Sequence, residues 1–392
     1  MESGEWPGSV TLLCRRATGG DVGACAMGER KRVLFQYLGR RGAITRMVLE
    51  LAQTLRDAPH IVASFVLSED VEGSDAIRGT GADITYVPTF SDAVGAVAGA
   101  FALRSLRAKL RATLEAQRPD AVIELMTHVW SPFLEAEFRR ARVRRIAVVH
   151  DASPHPGDPF GLATGWLLAS ALRADRIVAL SNHVAGQILA KNASVRQQLG
   201  VLFHPVFNYA QRKQPRAPGA PLRVLFLGRI LPYKGLDLLV AALEELRARG
   251  LATAPTILGD GSLGVLKPRL EALGARVVNR WLEDVDIAEA LADSDILVAP
   301  YREASQSGVA AAALGAGVPV VVTPAGGLPE QILPGVDGEV AAGVTASAIA
   351  DALAPFAADP SRVEPYSRRI IELAPSRSMD VFVNRLLEMV GE

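Results

Sequence analysis

Two cations five residues apart, Arg229 and Lys234, follow a short apolar run in the second half of the chain. The run, residues 222–228, predicts a buried strand, and Leu236–Ala248 after the cations has the period of a helix. Ligands of open parallel sheets lie beyond the carboxyl ends of the strands. Because a diphosphate needs fixed positive charge and backbone N–H groups at helix starts, we predict that this pair binds one. A solvated loop with ordinary surface cations is the alternative.

A second candidate site is the segment Pro300-Tyr-Arg-Glu-Ala-Ser-Gln-Ser-Gly-Val309, which also follows an apolar run. Gly308 leaves backbone N–H groups accessible at a predicted helix start, a second cradle for an anion. Ser305, Gln306 and Ser307 offer neutral hydrogen bonds that suit sugar hydroxyls. The alternative is an ordinary capped helix start, because serine is a favoured N-cap residue.

The elements that must position these residues alternate between apolar runs and helix-period segments. This alternation predicts parallel sheets with helices on both faces. It breaks at a polar stretch with three prolines and restarts at Leu222, so we predict two consecutive doubly wound units. Residues 364–392 have helical character. The predicted divisions are a disordered leader (1–30), a first Rossmann-like domain (31–210), a linker (211–221), a second Rossmann-like domain (222–375) and a C-terminal helix (376–392) that could pack back on the first domain.

A third motif, Gly317-Val-Pro-Val-Val-Val-Thr-Pro-Ala-Gly-Gly-Leu-Pro-Glu330, leads a predicted strand into a double-glycine turn, where Glu330 would complement a helix dipole. The three motifs in this order, with Asp260-Gly261 between the first two, resemble the retaining glycosyltransferases of the GT-B fold, family-4 type. The resemblance covers nearly all of residues 31–390. It implies an α/β GT-B fold, with two Rossmann-like domains facing across a cleft. The first domain (31–210) would lie on the acceptor side, and the second (222–375) would bind the nucleotide sugar. It also implies metal-independent transfer of a sugar from a nucleotide-diphosphate sugar, UDP- or GDP-linked, to a hydroxyl acceptor.

The resemblance also implies roles for individual residues. Gly228, Arg229 and Lys234 would hold the donor diphosphate, and the backbone of Gly308 and Val309 would assist. A glycine loop at Gly42 would lie over the donor phosphates, and Ser305, Gln306 and Ser307 would complete the donor site. Base recognition would use the backbone around Arg280, Trp281 and Leu282. The residues implied as catalytic are His150, Arg229, Lys234 and Glu303.

The second acid of the family's pattern is missing. The family has two glutamates eight residues apart, the first near the donor sugar and the second on the ribose. Glu303 is the candidate for the first, and the second position is Ala311 or Ala312, depending on the direction of counting. The segment resembles a subgroup of these transferases that also lacks the second acid. Ribose recognition through a carboxylate is therefore not expected.

The acceptor side is predicted from the first half of the chain. Arg40 and Arg41 lie between the first strand and helix and could bind an anionic group on the acceptor, although surface arginines are equally plausible. Asp151 and His155 follow the strand that ends at His150 and could line the same side. The glycines near Arg40 do not form a dinucleotide-binding fingerprint, which argues against an NAD-dependent dehydrogenase.

Composition excludes several other classes. Of 392 residues, 49% are apolar and 21% charged, which is ordinary globular usage. The 42 basic and 42 acidic residues give a net charge of zero, which argues against a general nucleic-acid binder. Two cysteines support neither a disulfide framework nor a zinc site. Asp284/Asp286 and Asp293/Asp295 could hold a cation but suit helix caps and strand starts better.

No secretory signal or membrane-spanning run is evident, so we expect a cytoplasmic protein. The basic, partly apolar stretch 101–114 could touch anionic lipid at the inner face of a membrane. An ordinary amphipathic helix is the alternative. The sequence leaves open the oligomeric state, the donor's sugar and base, and the acceptor. It also leaves open whether translation starts at Met1 or Met27. Two other functions remain as alternatives: a sugar-nucleotide epimerase or hydrolase of the same fold, and a degenerate scaffold subunit.

Overall fold

The computed structural model describes residues 30–90, 99–154, 163–209 and 219–391. Within them the chain forms two parallel β-sheets flanked by helices, so the predicted pair of doubly wound units is confirmed. The predicted leader and most of the predicted linker lie outside the described residues.

The first domain holds a seven-stranded sheet in the order β3-β2-β1-β4-β5-β6-β7. Strand β1, the third in this order, is buried from Val33 to Tyr37, because helices cover both faces of a parallel sheet. The strands are β1 (Lys31–Tyr37), β2 (Ile61–Ser68), β3 (Asp83–Val87), β4 (Ala121–Glu124), β5 (Arg144–Val149), β6 (Arg176–Ala179) and β7 (Leu199–Val201). The helices are α1 (Ala43–Arg56), α2 (Ser74–Arg78), α3 (Ala100–Gln117), α4 (Ser131–Ala141), α5 (Thr164–Ala171) and α6 (Asn182–Lys191).

The second domain holds a six-stranded sheet in the order β10-β9-β8-β11-β12-β13. The strands are β8 (Leu222–Leu227), β9 (Thr253–Leu258), β10 (Arg276–Val278), β11 (Ile296–Ala299), β12 (Val320–Val322) and β13 (Gly338–Val340). The helices that follow are α7 (Leu236–Ala248), α8 (Leu266–Ala272), α9 (Asp284–Ala292), α10 (Gly308–Gly315), α11 (Ala346–Ala358), α12 (Val363–Leu373) and α13 (Met379–Gly391).

The segment predicted to be helical, residues 364–392, holds two helices, α12 and α13. A 3₁₀ turn, Ala374–Arg377, separates α12 from α13, because Pro375 has no N–H to continue an α-helix. Helix α13 then packs on the first domain, where the ring of Phe382 lies 6.1 Å from that of Phe203. Lys31 also donates to the carbonyl of Leu387 at 3.4 Å. The chain thus crosses between the domains twice, which ties them together.

No helix in the described part of the chain is long and apolar enough to cross a bilayer.

Candidate functional site

A cavity of about 660 Å³ lies between the two domains at the carboxyl ends of the strands. The first domain contributes the start of α1 and the loop before α2, and the second contributes the segments after β8, β9, β10 and β11. Of the residues predicted for the donor site, ten line this cavity: Gly42, Gly228, Arg229, Lys234, Trp281, Leu282, Gln306, Ser307, Gly308 and Val309.

The two predicted diphosphate cations both line the cavity. The Lys234 ammonium lies 3.8 Å from the centroid of the Tyr301 ring, and an Arg229 nitrogen lies 3.4 Å from the Tyr233 hydroxyl. Gly235 follows in the left-handed conformation, with φ of 67°, and a Cβ there would lie 2.0 Å from the carbonyl oxygen of Pro300. The loop can approach β11 this closely only with glycine at that position, and this approach fixes Lys234 over the ring.

Two helix N-termini, one from each domain, meet at the same end of the cavity. Helix α10 begins at Gly308 and is capped by the Ser307 hydroxyl, which accepts from the Ala310 N–H at 3.2 Å. Helix α1 begins at Ala43 after Gly42, whose φ is 103°. A Cβ on Gly308 would lie 2.6 Å from the Cβ of Ala43. Their N–H groups and dipoles favour an anion beside the two cations.

Gln331 fixes the peptide at the start of α10, a role that the sequence patterns did not indicate. Its side-chain oxygen accepts from the Ser307 N–H at 2.7 Å, and its nitrogen donates to the Ser307 carbonyl at 3.2 Å. The Tyr301 hydroxyl lies 3.4 Å from the Ser307 hydroxyl. These bonds hold the segment from 305 to 308 in one conformation without a ligand.

His150 lies behind the cavity wall and is not among the residues that line the cavity, and its predicted contact with the donor sugar stays a prediction. Its Nε2 lies 2.8 Å from the carbonyl oxygen of Leu125, and its Nδ1 lies 3.3 Å from the amide nitrogen of Gln306. Burial lowers the pKa of His150 below its usual range. Gln306 therefore stands between a neutral imidazole and the cavity.

Glu303 does not line the cavity and is exposed. The loop after β11 turns Tyr301 and Ser305 inward and Arg302 and Glu303 outward. Arg302 is held there by a two-pronged pair with Asp237, at 2.6 and 2.7 Å. Ser305 is buried without lining the cavity, and its carbonyl accepts from the Ser181 hydroxyl at 3.1 Å. Glu303 and the Ser305 side chain therefore do not line the cavity, and their contact with the donor stays a prediction.

At the positions of the missing second acid, Ala312 lines the cavity and Ala311 is buried beneath it. The carbonyl of Ala311 accepts from the Phe207 N–H at 3.3 Å. A methyl group therefore faces the part of the cavity where the family's pattern has a carboxylate.

The predicted base region is divided by the structure. Trp281 and Leu282 line the cavity, whereas the exposed Arg280 turns away to pair with Asp286 at 2.7 Å. The Trp281 indole N–H donates across the cleft to Glu72 at 2.5 Å. The guanidinium of Arg41 lies 5.3 Å from the centroid of the Trp281 ring. Arg41 thus packs on the wall of the base region and does not line the cavity.

Two of the other predicted acceptor residues, Arg40 and Asp151, do not line the cavity. Arg40 pairs with Asp70 at 3.4 Å, and Asp151 is exposed after the end of β5. His155 lies outside the described residues.

The Asp-x-Asp pairs have protein partners. Asp284 accepts from the Tyr209 hydroxyl at 2.6 Å and also pairs with Arg46, and Asp295 pairs with Arg223 at 2.9 Å. Among the described residues, no group of three or more His, Cys, Asp or Glu side chains is placed to hold a metal ion.

Glu330 caps a helix of the opposite domain, and not one of its own as predicted. Its two carboxylate oxygens accept from the N–H groups of Asn182 and His183, at 2.6 and 2.8 Å, at the start of α6. An acid at a helix N-terminus satisfies unpaired N–H groups and complements the dipole. Glu330 therefore helps to hold the cleft closed.

We expect Glu330→Ala to lower the free energy of unfolding by about 1 kcal/mol, because the first N–H groups of α6 lose their acceptor. Thermal melting of the variant beside Glu271→Ala, which removes an exposed glutamate in the same domain, measures the effect. Equal melting temperatures for the two variants would contradict the capping role.

His128, which is half-buried, and the buried His204 predict loss of stability in acid. Burial lowers the pKa of each to about 4. The unfolded chain then binds protons that the folded chain does not, so stability is complete above about pH 6.5 and falls toward pH 4. We expect about 1.4 kcal/mol per pH unit from each imidazole within that window.

Urea unfolding at pH 7, 6 and 5 measures this slope. His128→Phe should make it shallower, because the ring packs 5.2 Å from Phe90 and phenylalanine can occupy the same space. His60→Phe, at an exposed histidine, is the matched control. A slope unchanged by His128→Phe would contradict the assignment.

Both halves of the chain match glycosyltransferase family models. Residues 44–206 match Glycosyltransferase Family 4, and residues 221–359 match Glycosyl transferases group 1. The two matches fall on the two domains described above.

The chain is similar to two named kinds of actinobacterial enzyme. D-inositol 3-phosphate glycosyltransferase of Streptomyces avermitilis is 30% identical over 255 residues, 59% of this chain and 54% of that protein. GDP-mannose-dependent alpha-(1-6)-phosphatidylinositol monomannoside mannosyltransferase of Mycolicibacterium smegmatis is 35% identical over 151 residues, 36% of this chain and 39% of that protein. The chain thus spans about half the length, or less, of these curated relatives.

Solved structures share the fold. HepE of Anabaena, in complex with UDP and glucose, aligns with a TM-score of 0.69 over 92% of this chain and 100% of that chain, at 18% identity. Sucrose-phosphate synthase from Thermosynechococcus elongatus aligns with a TM-score of 0.68 over 92% of this chain and 99% of that chain, at 17% identity.

Fold and family matches together define the class as GT-B. The chain belongs to the glycosyltransferases of group 1 and family 4, as the sequence motifs predicted.

Proposed function

We propose that this protein is a retaining glycosyltransferase that moves a sugar from a UDP- or GDP-linked donor to a hydroxyl acceptor. The observation that carries the proposal is the convergence of Arg229, Lys234 and the N-termini of α1 and α10 on one end of a single cavity. Trp281 and Leu282 also line the cavity and form the predicted base region. Two cations, the N–H groups of two helix starts and an aromatic ring in one cavity suit a nucleoside diphosphate.

In the proposed reaction the donor's diphosphate leaves as negative charge develops on its oxygen. Arg229, Lys234 and the N–H groups at Gly308 and Val309 stabilise that charge, which is electrostatic catalysis in a preorganised site. These groups supply the positive charge that a divalent cation supplies in other transferases, so no metal is required. Contact between the domains excludes water and limits hydrolysis of the donor.

Retention follows from attack by the acceptor hydroxyl on the face that the diphosphate leaves, without a protein nucleophile. The new C–O bond forms as the bond to the diphosphate breaks, and the hydroxyl proton passes to the departing diphosphate oxygen. The lining carboxylates Glu72, Glu283 and Asp284 have partners: Trp281, the capping box of α9, and Tyr209 with Arg46. The fourth, Asp260, is exposed after β9. None of these four carboxylates is next to Gln306 in sequence, and none belongs to the loop that carries Gln306.

A weak peripheral contact with anionic lipid is a further part of the proposal. Phe101 on α3 is 82% exposed and Phe133 on α4 is 48% exposed, on neighbouring helices that also carry arginines. Cosedimentation with phosphatidylcholine vesicles, with and without phosphatidylglycerol, tests it. Binding that needs the anionic lipid and weakens in Phe101→Ser/Phe133→Ser supports the contact, and equal binding by both proteins rejects it.

A thermal-shift screen tests the donor class. The protein is melted with UDP, GDP, ADP, CMP or dTDP, without added metal and again with Mg²⁺. A nucleotide at about 100 times its Kd should stabilise the native state by about 2.7 kcal/mol. One nucleotide that shifts melting without metal supports the proposal. No shift with any of them would instead favour a degenerate scaffold subunit.

A further inference from the structure

The contact between His150 and Gln306 crosses the cleft and fixes the state of the imidazole. Nε2 of His150 lies 2.8 Å from the Leu125 carbonyl oxygen, which can only accept, so the proton is on Nε2. The ring is buried and neutral, so Nδ1 carries a lone pair. Nδ1 must therefore accept its hydrogen bond.

The lone pair on Nδ1 in turn fixes the orientation of the Gln306 carboxamide. The Gln306 group 3.3 Å from Nδ1 has to be the NH₂. Gln306 Oε1 is then the free end of the amide, and it is buried without a hydrogen-bond partner among the described residues. A buried acceptor without a hydrogen-bond donor destabilises the folded protein. A ligand hydroxyl that donates to this oxygen would remove the cost.

Gln306 also lies beside the groups that would bind the donor diphosphate. It lines the cavity directly before Ser307 and Gly308, at the end where α10 begins and Lys234 lies. A sugar attached to a diphosphate at that end would lie against the Gln306 amide.

We propose that Gln306 Oε1 accepts a hydrogen bond from a hydroxyl of the transferred sugar, and that His150 is a positioning residue that holds the Gln306 amide in that orientation. The inference rests on the proposed function and deepens it. In this proposal His150 acts on the sugar through Gln306 and does not contact the sugar itself. Because His150 directly follows β5 of the first domain and Gln306 belongs to the second, the sugar is recognised only when the domains are in contact.

Two replacements of His150 separate this role from simple packing. Asparagine places an oxygen acceptor near the position of Nδ1, whereas glutamine places an amide near the position of Nε2. His150→Asn therefore keeps the bond to Gln306, and His150→Gln keeps only the bond to Leu125. Gln306→Ala removes the proposed sugar ligand itself.

Calorimetric titrations with UDP, UDP-glucose, GDP and GDP-mannose compare these variants with the wild type. We expect Gln306→Ala and His150→Gln to weaken binding of the nucleotide sugar about tenfold, the loss of one hydrogen bond, with the nucleoside diphosphate unaffected. His150→Asn should restore most of the affinity. The double variant His150→Gln/Gln306→Ala should bind no more weakly than Gln306→Ala, because both changes remove one interaction.

Three results would overturn the proposal: equal loss for diphosphate and sugar nucleotide, rescue by His150→Gln but not His150→Asn, or additive effects in the double variant. A wild type that binds none of the four probes would refute the proposed function, and this inference with it. Imidazole ¹⁵N spectra give a readout without any donor. We expect the His150 proton on Nε2 in the wild type, and a proton on Nδ1 would reject the positioning role alone.

Discussion

Arg229→Ala and Lys234→Ala are each expected to lower the rate of sugar transfer by about 10²- to 10³-fold, the loss measured when one group that stabilises a developing oxyanion is removed. Both side chains line the cavity, and the loop that carries Lys234 is fixed by the close approach of Gly235 to Pro300. We also expect weaker binding of the nucleoside diphosphate, because the charge is present in the ground state as well.

Matched variants away from the cavity test whether the position of the lost positive charge determines the effect. Arg269→Ala and Lys267→Ala remove the same charges from the same domain, at sites that do not line the cavity. Steady-state kinetics and calorimetry on all four variants give the comparison. If the surface variants lose as much rate as the cavity variants, net charge and not a diphosphate site explains the effect.

Gly308→Ala is expected to lower transfer by about 10²-fold without unfolding either domain, because misplacement of reacting groups by about 1 Å is sufficient for such a loss. The added Cβ would lie 2.6 Å from the Cβ of Ala43 in the opposite domain. The φ of Gly308 is outside the left-handed region, so its own helix tolerates alanine. The clash therefore opposes closure of the cleft.

A compensating change tests this reason for the loss. Ala43→Gly removes the opposing methyl at a cost of about 1 kcal/mol in helix α1 and should restore activity in the double variant. Gly343→Ala, where a Cβ meets no atom within 4 Å, is the control. A double variant that stays as inactive as Gly308→Ala would show that Gly308 is needed for something other than closure.

The long strands, and the helix that follows the first strand of each domain, were predictable because their pattern of apolar residues extends over many positions. The strand predicted over 222–228 is β8 (Leu222–Leu227), and the helix predicted over 236–248 is α7 (Leu236–Ala248). The edge strands β7, β10 and β13 were not predicted, because each has three residues and its pairing depends on a neighbour distant in sequence. The break at Ala374–Arg377 carries a visible signal, Pro375.

The cations and glycines of the site were predictable because they occupy motifs at strand ends, where chain position fixes location. The direction in which each side chain points was not predictable from the sequence. Glu303 and Gln306 lie three residues apart in one loop, yet only Gln306 faces the cavity, because the loop turn is set by Asp237 and Gln331 from other segments. Glu330 likewise faces a helix of the other domain. Such contacts exist only after the domains pack.

Release of nucleoside diphosphate from UDP-glucose and GDP-mannose, with a mixture of sugar and polyol acceptors, tests the proposed transfer most directly. The wild type should release the diphosphate from one of them, and the double variant Arg229→Ala/Lys234→Ala should release it at least about 10³-fold more slowly. Release from neither donor by folded wild type, or equal release by the double variant, would contradict the assignment of the cleft to sugar transfer.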